Sequence, residues 1–208
     1  MSNPWERIPL QDYENHMKLP SVQQLQKLNK IMKSQIYKYK ISTIAILGIA
    51  GGNGLEFIDN SRIKTVYGID INKNYLDICN EKYKNLKDCL VLKKLDLSNL
   101  SNDLPKVDIV IANLFIEYIG IDIFIKQLSK NFPQYVSCVI QKNPDINFVS
   151  DSPYIKSFDE ISLLHKDIEK ASLVKAMNTI GYSLIFSEEY LLPNMKKFIR
   201  LDFTDKQN

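Results

Sequence analysis

The spacing of apolar residues changes along the chain. Val22, Leu25, Leu28, Ile31, Met32 and Ile36 recur every three or four positions and predict a helix over 22–37. Ser21 is placed to cap it, and Gln24, three residues on, completes a capping box. From residue 43 short apolar runs take over. Those at 43–47, 65–69, 90–95, 107–112 and 135–140 have the length and β-branched content of buried strands. Helical stretches separate them: a short one at 54–60, one capped by Asn72 with Leu76, Cys79 and Tyr83 on one face, and one at 121–132. This alternation predicts a parallel sheet covered by helices on both faces.

After residue 141 the rhythm changes. Residues 142–163 form a long connection carrying Pro144, Pro153, Phe148, Tyr154 and Phe158. A helix over 165–180 stops at Gly181, a residue suited to a helix C-terminus. Two last strands, 182–191 and 196–203, are joined by Leu192-Pro193-Asn194, a link short enough to permit only an antiparallel hairpin. Residues 1–20, with Trp5, Pro9, Tyr13, His16, Met17 and Pro20, read as irregular.

Composition narrows the function classes. The 208 residues fit one domain, and 45% hydrophobic content supplies a core. The net charge of +3 comes almost entirely from lysine; Arg7, Arg62 and Arg200 are the only arginines. Nucleic acid recognition draws on arginine forks and a basic face, so nucleic acid is not the expected partner. Cys79, Cys89 and Cys138 are scattered, with His16 and His165 the only histidines, which argues against a disulfide framework or a metal site. No apolar run reaches membrane-spanning length, and residues 1–11 lack the pattern of a secretory signal. The expectation is a soluble cytoplasmic protein.

Candidate chemistry gathers where the strands end. The first strand runs into Gly48, Ala50, Gly51, Gly52 and Gly54, a turn whose backbone can approach a ligand closely, as a nucleotide cradle or as a tight turn without one. The second strand ends at Asp70 and the third at Asp96. The fourth ends at Asn113, followed by Leu114, Phe115, Glu117 and Tyr118. In such sheets ligands bind beyond the carboxyl ends of the strands. Asp70 can accept hydrogen bonds from ribose hydroxyls and Asp96 one from an exocyclic amine of adenine. Each could also cap its following helix, but the set at matching strand ends favours a cofactor.

With these residues the sequence resembles class I S-adenosylmethionine-dependent methyltransferases over about residues 9–202. Leu-Gly-Ile-Ala-Gly-Gly-Asn-Gly (47–54), Val-Tyr-Gly-Ile-Asp-Ile-Asn (66–72), Leu-Asp-Leu (95–97) and Val-Asp-Ile-Val-Ile-Ala-Asn-Leu (107–114) look like its four motifs. The resemblance implies a three-layer Rossmann-like sandwich with a seven-stranded mixed sheet, order 3-2-1-4-5-7-6 and an antiparallel terminal hairpin. It implies a single domain over 1–208, an N-terminal lid segment and helix at 1–40, and a substrate-loop insertion at 142–164. It also implies S-adenosylmethionine as cofactor, S-adenosylhomocysteine as product, and a cofactor set of Tyr13, Gly48, Ala50, Gly52, Asn53, Gly54, Asp70, Ile71, Asp96, Leu97, Asn113 and Leu114. The chain departs from the pattern at Gly48, where an acidic residue is usual, and at Ala50, where the first glycine is usual. The acid often helps hold the methionine amino group; turn carbonyls, Asn113 or an N-terminal residue could substitute.

Methyl transfer from a sulfonium needs positioning and desolvation more than a particular side chain. If a base serves, Glu117, Tyr118 and His16 are the candidates, with His165 next by residue type. Glu117 could instead serve a helix dipole, and Tyr13, His16 and Met17 either close a lid or pack on the core. The Asn-Pro-Pro-aromatic tetrad typical of base-nitrogen methylation is absent: the chain has Asn113-Leu114-Phe115-Ile116. A small-molecule acceptor is therefore expected. The competing readings are a cofactor-binding protein without transferase activity, an RNA or protein methyltransferase, and a nicotinamide oxidoreductase, which the hairpin and Asp96 fit poorly.

Overall fold

The computed structural model describes residues 3–145 and 147–205. Seven strands form one sheet: β1 (Thr43–Leu47), β2 (Thr65–Asp70), β3 (Leu90–Lys94), β4 (Ile109–Asn113), β5 (Tyr135–Lys142), β6 (Tyr182–Leu191) and β7 (Lys197–Asp205). Their order is β3-β2-β1-β4-β5-β7-β6. The first five strands pair in parallel, and β7 runs antiparallel to both neighbours. Sheet and order are those expected from the sequence.

Among the described residues six α-helices accompany the sheet: α1 (Leu10–Lys18), α2 (Gln24–Lys38), α3 (Lys73–Lys82), α4 (Ile116–Ile119), α5 (Ile121–Leu128) and α6 (Lys170–Thr179). The period of two in a strand sends alternate side chains to opposite faces. Ala45, Leu47, Val110 and Ala112 meet Phe124 and Leu128 of α5 and Leu173 and Met177 of α6. Ile44, Ile46, Ile109 and Ile111 meet Met32 and Ile36 of α2 and Leu76 and Cys79 of α3 on the other face. The result is three layers. No helix among the described residues is long and apolar enough to cross a membrane.

Four local readings need correction. Residues 3–20 are not irregular: Pro4–Glu6 is a 3-10 turn and α1 follows. Ser21 does not cap α2. Val22 and Gln23 donate their N–H groups to the Leu19 carbonyl in a turn that absorbs Ser21, and Gln23 enters the helix in the left-handed region at φ 51°. Residues 54–60 hold only a 3-10 turn, Leu55–Phe57. Gly54 sits at φ 97°, and the N–H groups of Phe57 and Ile58 reach back three residues rather than four, so no α-helix propagates. The helix expected at 165–180 begins only at Lys170. The preceding 3-10 segment, Ile155–Leu163, ends in bonds from the Leu164 and His165 N–H groups to Ile161, and the chain then runs without regular structure to Glu169.

Candidate active site

Parallel register brings the ends of β1, β2 and β4 level. Leu47 pairs with Ile69 on one side and with Ala112 on the other, so Gly48, Asp70 and Asn113 emerge side by side. The sheet changes direction of growth at β1, between β2 and β4, which leaves a crevice above these ends. Two backbone residues there are strained. Ala50 lies at φ 48° and Leu114 at φ 53°. Side chains rarely adopt these values, and they persist only where neighbours hold them. Ala50 is held by Asp70, whose Oδ2 accepts its N–H at 2.9 Å; Leu114 donates to the Val139 carbonyl at 2.8 Å.

Above the strand ends lies a cavity of about 150 Å³. Tyr13, Gly48, Ala50, Asp70, Ile71, Asp96, Leu97, Asn113 and Leu114 all line it, together with Trp5, Tyr75 and Tyr118. Nine of the twelve expected cofactor residues thus converge. The other three do not line it. A β-carbon on Gly52 would fall 2.7–2.9 Å from Tyr83, Cys79 and Leu55, and one on Gly54 would fall 2.8 Å from Met32 Cβ, so both glycines serve close packing. Asn53 donates to the Leu25 carbonyl at 3.0 Å and accepts from Asn29 at 2.9 Å.

Asp70 is buried. Its Oδ1 accepts the Asn72 N–H at 2.9 Å, and burial pushes its carboxyl pKa up against these bonds. Asp96 is half-buried and its Oδ1 accepts the N–H and hydroxyl of Ser98 at 2.9 and 2.6 Å. Each carboxylate therefore also organises its own loop, but neither caps a helix: Asn72 caps α3, and no helix follows Asp96 directly. Asn72 caps α3 by accepting from Asn74 and Tyr75, while its Nδ2 donates to the Trp5 carbonyl at 2.9 Å. That bond ties the N-terminal segment across the end of β2.

A second, smaller cavity of about 60 Å³ adjoins the first, and Trp5, Tyr13, Leu114 and Tyr118 line both. Its other walls include His16, Gln24, Glu117, Gln141, Phe148, Phe158 and His165. The three base candidates and His165 thus surround one space. Glu117 is 2% exposed, and its Oε1 accepts the Gln141 N–H at 2.9 Å. Burial raises its carboxyl pKa to about 7. Burial, with Lys196 adding to it, lowers His16 to about 4, and burial lowers His165. His16 Nδ1 lies 2.8 Å from Ser152 Oγ, and the His165 ring stacks on Phe148 at 3.9 Å. The cavity is therefore close to neutral, with one carboxyl poised to exchange a proton near pH 7.

Four buried side-chain polar atoms lack a hydrogen-bond partner among the described residues: Trp5 Nε1, Tyr75 Oη, Glu117 Oε2 and Gln127 Oε1. An unpaired buried polar atom costs about 1–3 kcal/mol and calls for an explanation. Three of the four belong to residues lining these two cavities. The sequence does not single out Trp5 or Tyr75 as site residues. Trp5 lay in a stretch without recognisable period, and Tyr75 follows the Asn72 cap like any residue of a first helical turn.

No family model and no curated protein sequence matches the chain. Solved structures do resemble it. Magnesium protoporphyrin IX methyltransferase from Synechocystis PCC 6803, with bound SAH, superposes with a TM-score of 0.64 at 12% identity, over 98% of this chain and 93% of that one. The methyltransferase domain of bacterial CtHen1-C gives 0.63 at 18% identity, over 88% and 97%. The [4+2]-cyclase SpnF gives 0.63 at 8% identity, over 88% and 82%. The likeness is one of fold: this is the class I S-adenosylmethionine-dependent methyltransferase fold. The presence of a cyclase among its bearers means that the chemistry must be argued from the site.

Proposed function

We propose that the protein is an S-adenosylmethionine-dependent methyltransferase acting on a small-molecule acceptor. The observation that carries this reading is the clustering of orphaned polar atoms on two cavities with a shared wall. A donor at Trp5 and a hydroxyl at Tyr75 border the larger one, and a carboxyl oxygen at Glu117 borders the smaller. The larger cavity fits the cofactor: Asp70 would hold the ribose hydroxyls, Asp96 the adenine amine, and the 48–50 turn the chain beyond the ribose. When bound, the cofactor supplies an activated methyl group. The smaller cavity would hold the acceptor against the shared wall. Glu117 Oε2 is then the site that takes the acceptor's proton as its heteroatom gains the methyl group. His16 and His165, both neutral, would orient the acceptor without adding charge.

Water exclusion falls to two segments outside the repeated core. The N-terminal segment contributes Trp5, Tyr13 and His16, and the 142–164 connection contributes Phe148, Phe158 and Ile161. They are tied together by Ser157 donating to Asp12 at 2.7 Å and by the Arg7–Glu160 ion pair. An acceptor site of about 60 Å³ beneath these two segments favours a small molecule over RNA. So do the arginines: Arg200 is fully buried, Arg7 pairs with Glu160, and Arg62 lies over the Tyr37 ring.

Titration calorimetry with S-adenosylmethionine and S-adenosylhomocysteine tests the reading. Both should bind, and Asp70→Ala should weaken both by about tenfold or more, the scale of a lost pair of charge-assisted bonds. Binding of neither would overturn it. A screen of small phenols, amines and thiols for S-adenosylhomocysteine release then separates a transferase from a cofactor-binding protein or a protein of other chemistry.

A further inference from the structure

We infer that Glu14, on α1, is the residue that receives the amino group at the methionine end of the cofactor, in place of the acid that β1 lacks at Gly48. This rests on the cofactor reading above and assigns its least determined part. Beneath the glycine turn a cavity of about 50 Å³ is lined by Tyr13, Glu14, Gly48, Ala50, Gly51 and Asn113, among others. Tyr13, Gly48, Ala50 and Asn113 also line the larger cavity, whereas Asp96 and Leu97 line only the larger one. The small space therefore adjoins the cavity assigned to the cofactor, on the side away from the residues assigned to adenine.

Glu14 is the only charged residue in that lining. Its carboxylate lies directly on the turn: a β-carbon on Gly51 would collide with Glu14 Oε1 and sit 3.4 Å from Cδ. Gly51 has an ordinary negative φ, so what keeps that position clear is this approach and not backbone conformation. The polar amides nearby are already engaged. Asn113 pairs with Gln35, and Asn53 with Leu25 and Asn29. The Glu14 carboxylate makes no hydrogen bond or ion pair among the described residues, although Tyr13 and Tyr75 both sense its charge. A half-buried carboxylate without a cation, at the mouth of a site for a ligand carrying an ammonium group, is complementary to that group. Because Glu14 stands on the N-terminal segment, the contact would also fasten that segment over the bound cofactor.

The test compares two ligands on two proteins. S-adenosylhomocysteine carries the amino-acid end; 5′-methylthioadenosine keeps the nucleoside thioether and lacks that end. Calorimetry on wild type and Glu14→Gln should show S-adenosylhomocysteine weakened about tenfold or more by the substitution, the scale of one charge-assisted contact, with 5′-methylthioadenosine unchanged. Hydrogen exchange should show α1 protected by S-adenosylhomocysteine in wild type and less so in Glu14→Gln. Equal S-adenosylhomocysteine affinity in the two proteins would overturn the assignment of Glu14 and leave the cofactor reading intact. So would equal weakening of both ligands, which marks a structural role. A wild type that binds neither ligand overturns the cofactor reading itself.

Discussion

Gln35 and Asn113 exchange two amide hydrogen bonds, one in each direction, both 2.9 Å long. The pair anchors the end of β4 to α2, and it does not stand alone. Gln35 also donates to Ser137 Oγ at 2.8 Å; Ser137 donates to Asp202, which Arg200 grips through Nε at 2.8 Å and Nη2 at 2.7 Å. Tyr39 adds a bond to Asp202 at 2.7 Å. A buried polar chain thus runs from the floor of the larger cavity to the terminal hairpin. Removing one partner strands the others. Asn113→Ala should cost about 1–3 kcal/mol, and Arg200→Met, which leaves Asp202 charged and buried without its guanidinium, about 3–5 kcal/mol. Urea unfolding with unchanged slope would measure both.

The glycine turn divides into two kinds of position. Gly54, at φ 97° and with Met32 Cβ 2.8 Å from its missing β-carbon, lies off the larger cavity. Gly54→Ala should therefore lower stability by about 2–4 kcal/mol, from backbone strain and overpacking together, while leaving S-adenosylhomocysteine affinity of the folded protein unchanged. Gly48 lines the cavity, and its β-carbon would sit 3.0 Å from Phe115 Cδ2. Gly48→Ala should weaken that affinity. Paired unfolding and calorimetry on the two variants separate the effects.

The strands and the residues at their ends were legible because they rest on short-range pattern; the strand order came only with the family resemblance, since order depends on pairings between distant segments. Apolar runs of strand length, with Asp70, Asp96 and Asn113 at their ends, declare themselves within a few residues. The misreadings share a cause in tertiary contact. Leu10, Tyr13 and Met17 do recur at helical spacing after Pro9, yet a nine-residue polar helix is stable only through what it packs against. Leu55–Phe57 failed to become an α-helix because Gly54 before it adopts φ 97°, at a position where Met32, far back on α2, fills the place of a β-carbon and admits only glycine. Gln35 looked like one polar residue on an apolar helix; its partners lie on β4 and β5, about 80 and 100 positions away. Glu14 gave no signal, since its meaning depends on the turn that it overhangs.

Trp5 offers a direct probe of occupancy. It is the only tryptophan, its ring meets Tyr118 edge-on at 4.8 Å, and its Nε1 has no partner among the described residues. A ligand entering the cavity that Trp5 lines would change the polarity around the indole. S-adenosylhomocysteine should therefore change tryptophan emission in a saturable way. Asp70→Ala should move the midpoint to about tenfold higher ligand or more, and Trp5→Phe should abolish the signal. Emission indifferent to ligand, with binding seen by calorimetry, would place the cofactor away from Trp5.

Glu117 gives a pH dependence whose sign can be worked out. Burial raises its carboxyl from 4.5 to about 7 in the folded protein. A carboxyl whose folded pKa lies above its unfolded value stabilises fully below the unfolded pKa, and that contribution is lost as pH rises through the folded one. The window is pH 4.5 to 7, and at 1.36 kcal/mol per pKa unit the loss is about 3 kcal/mol. His16 runs the other way: lowered from 6.5 to about 4, it stabilises above 6.5 and its contribution is lost as pH falls through 4. Comparing Glu117→Gln with wild type cancels His16 and isolates Glu117. The variant should gain stability relative to wild type as pH rises from 5 to 8. Under the proposed function the same ionisation governs catalysis. Wild-type kcat/KM should climb through about pH 7 as Glu117 becomes able to accept a proton, and Glu117→Gln should lose both that rise and most of the rate. A variant that keeps the wild-type pH profile would remove Glu117 from the chemistry.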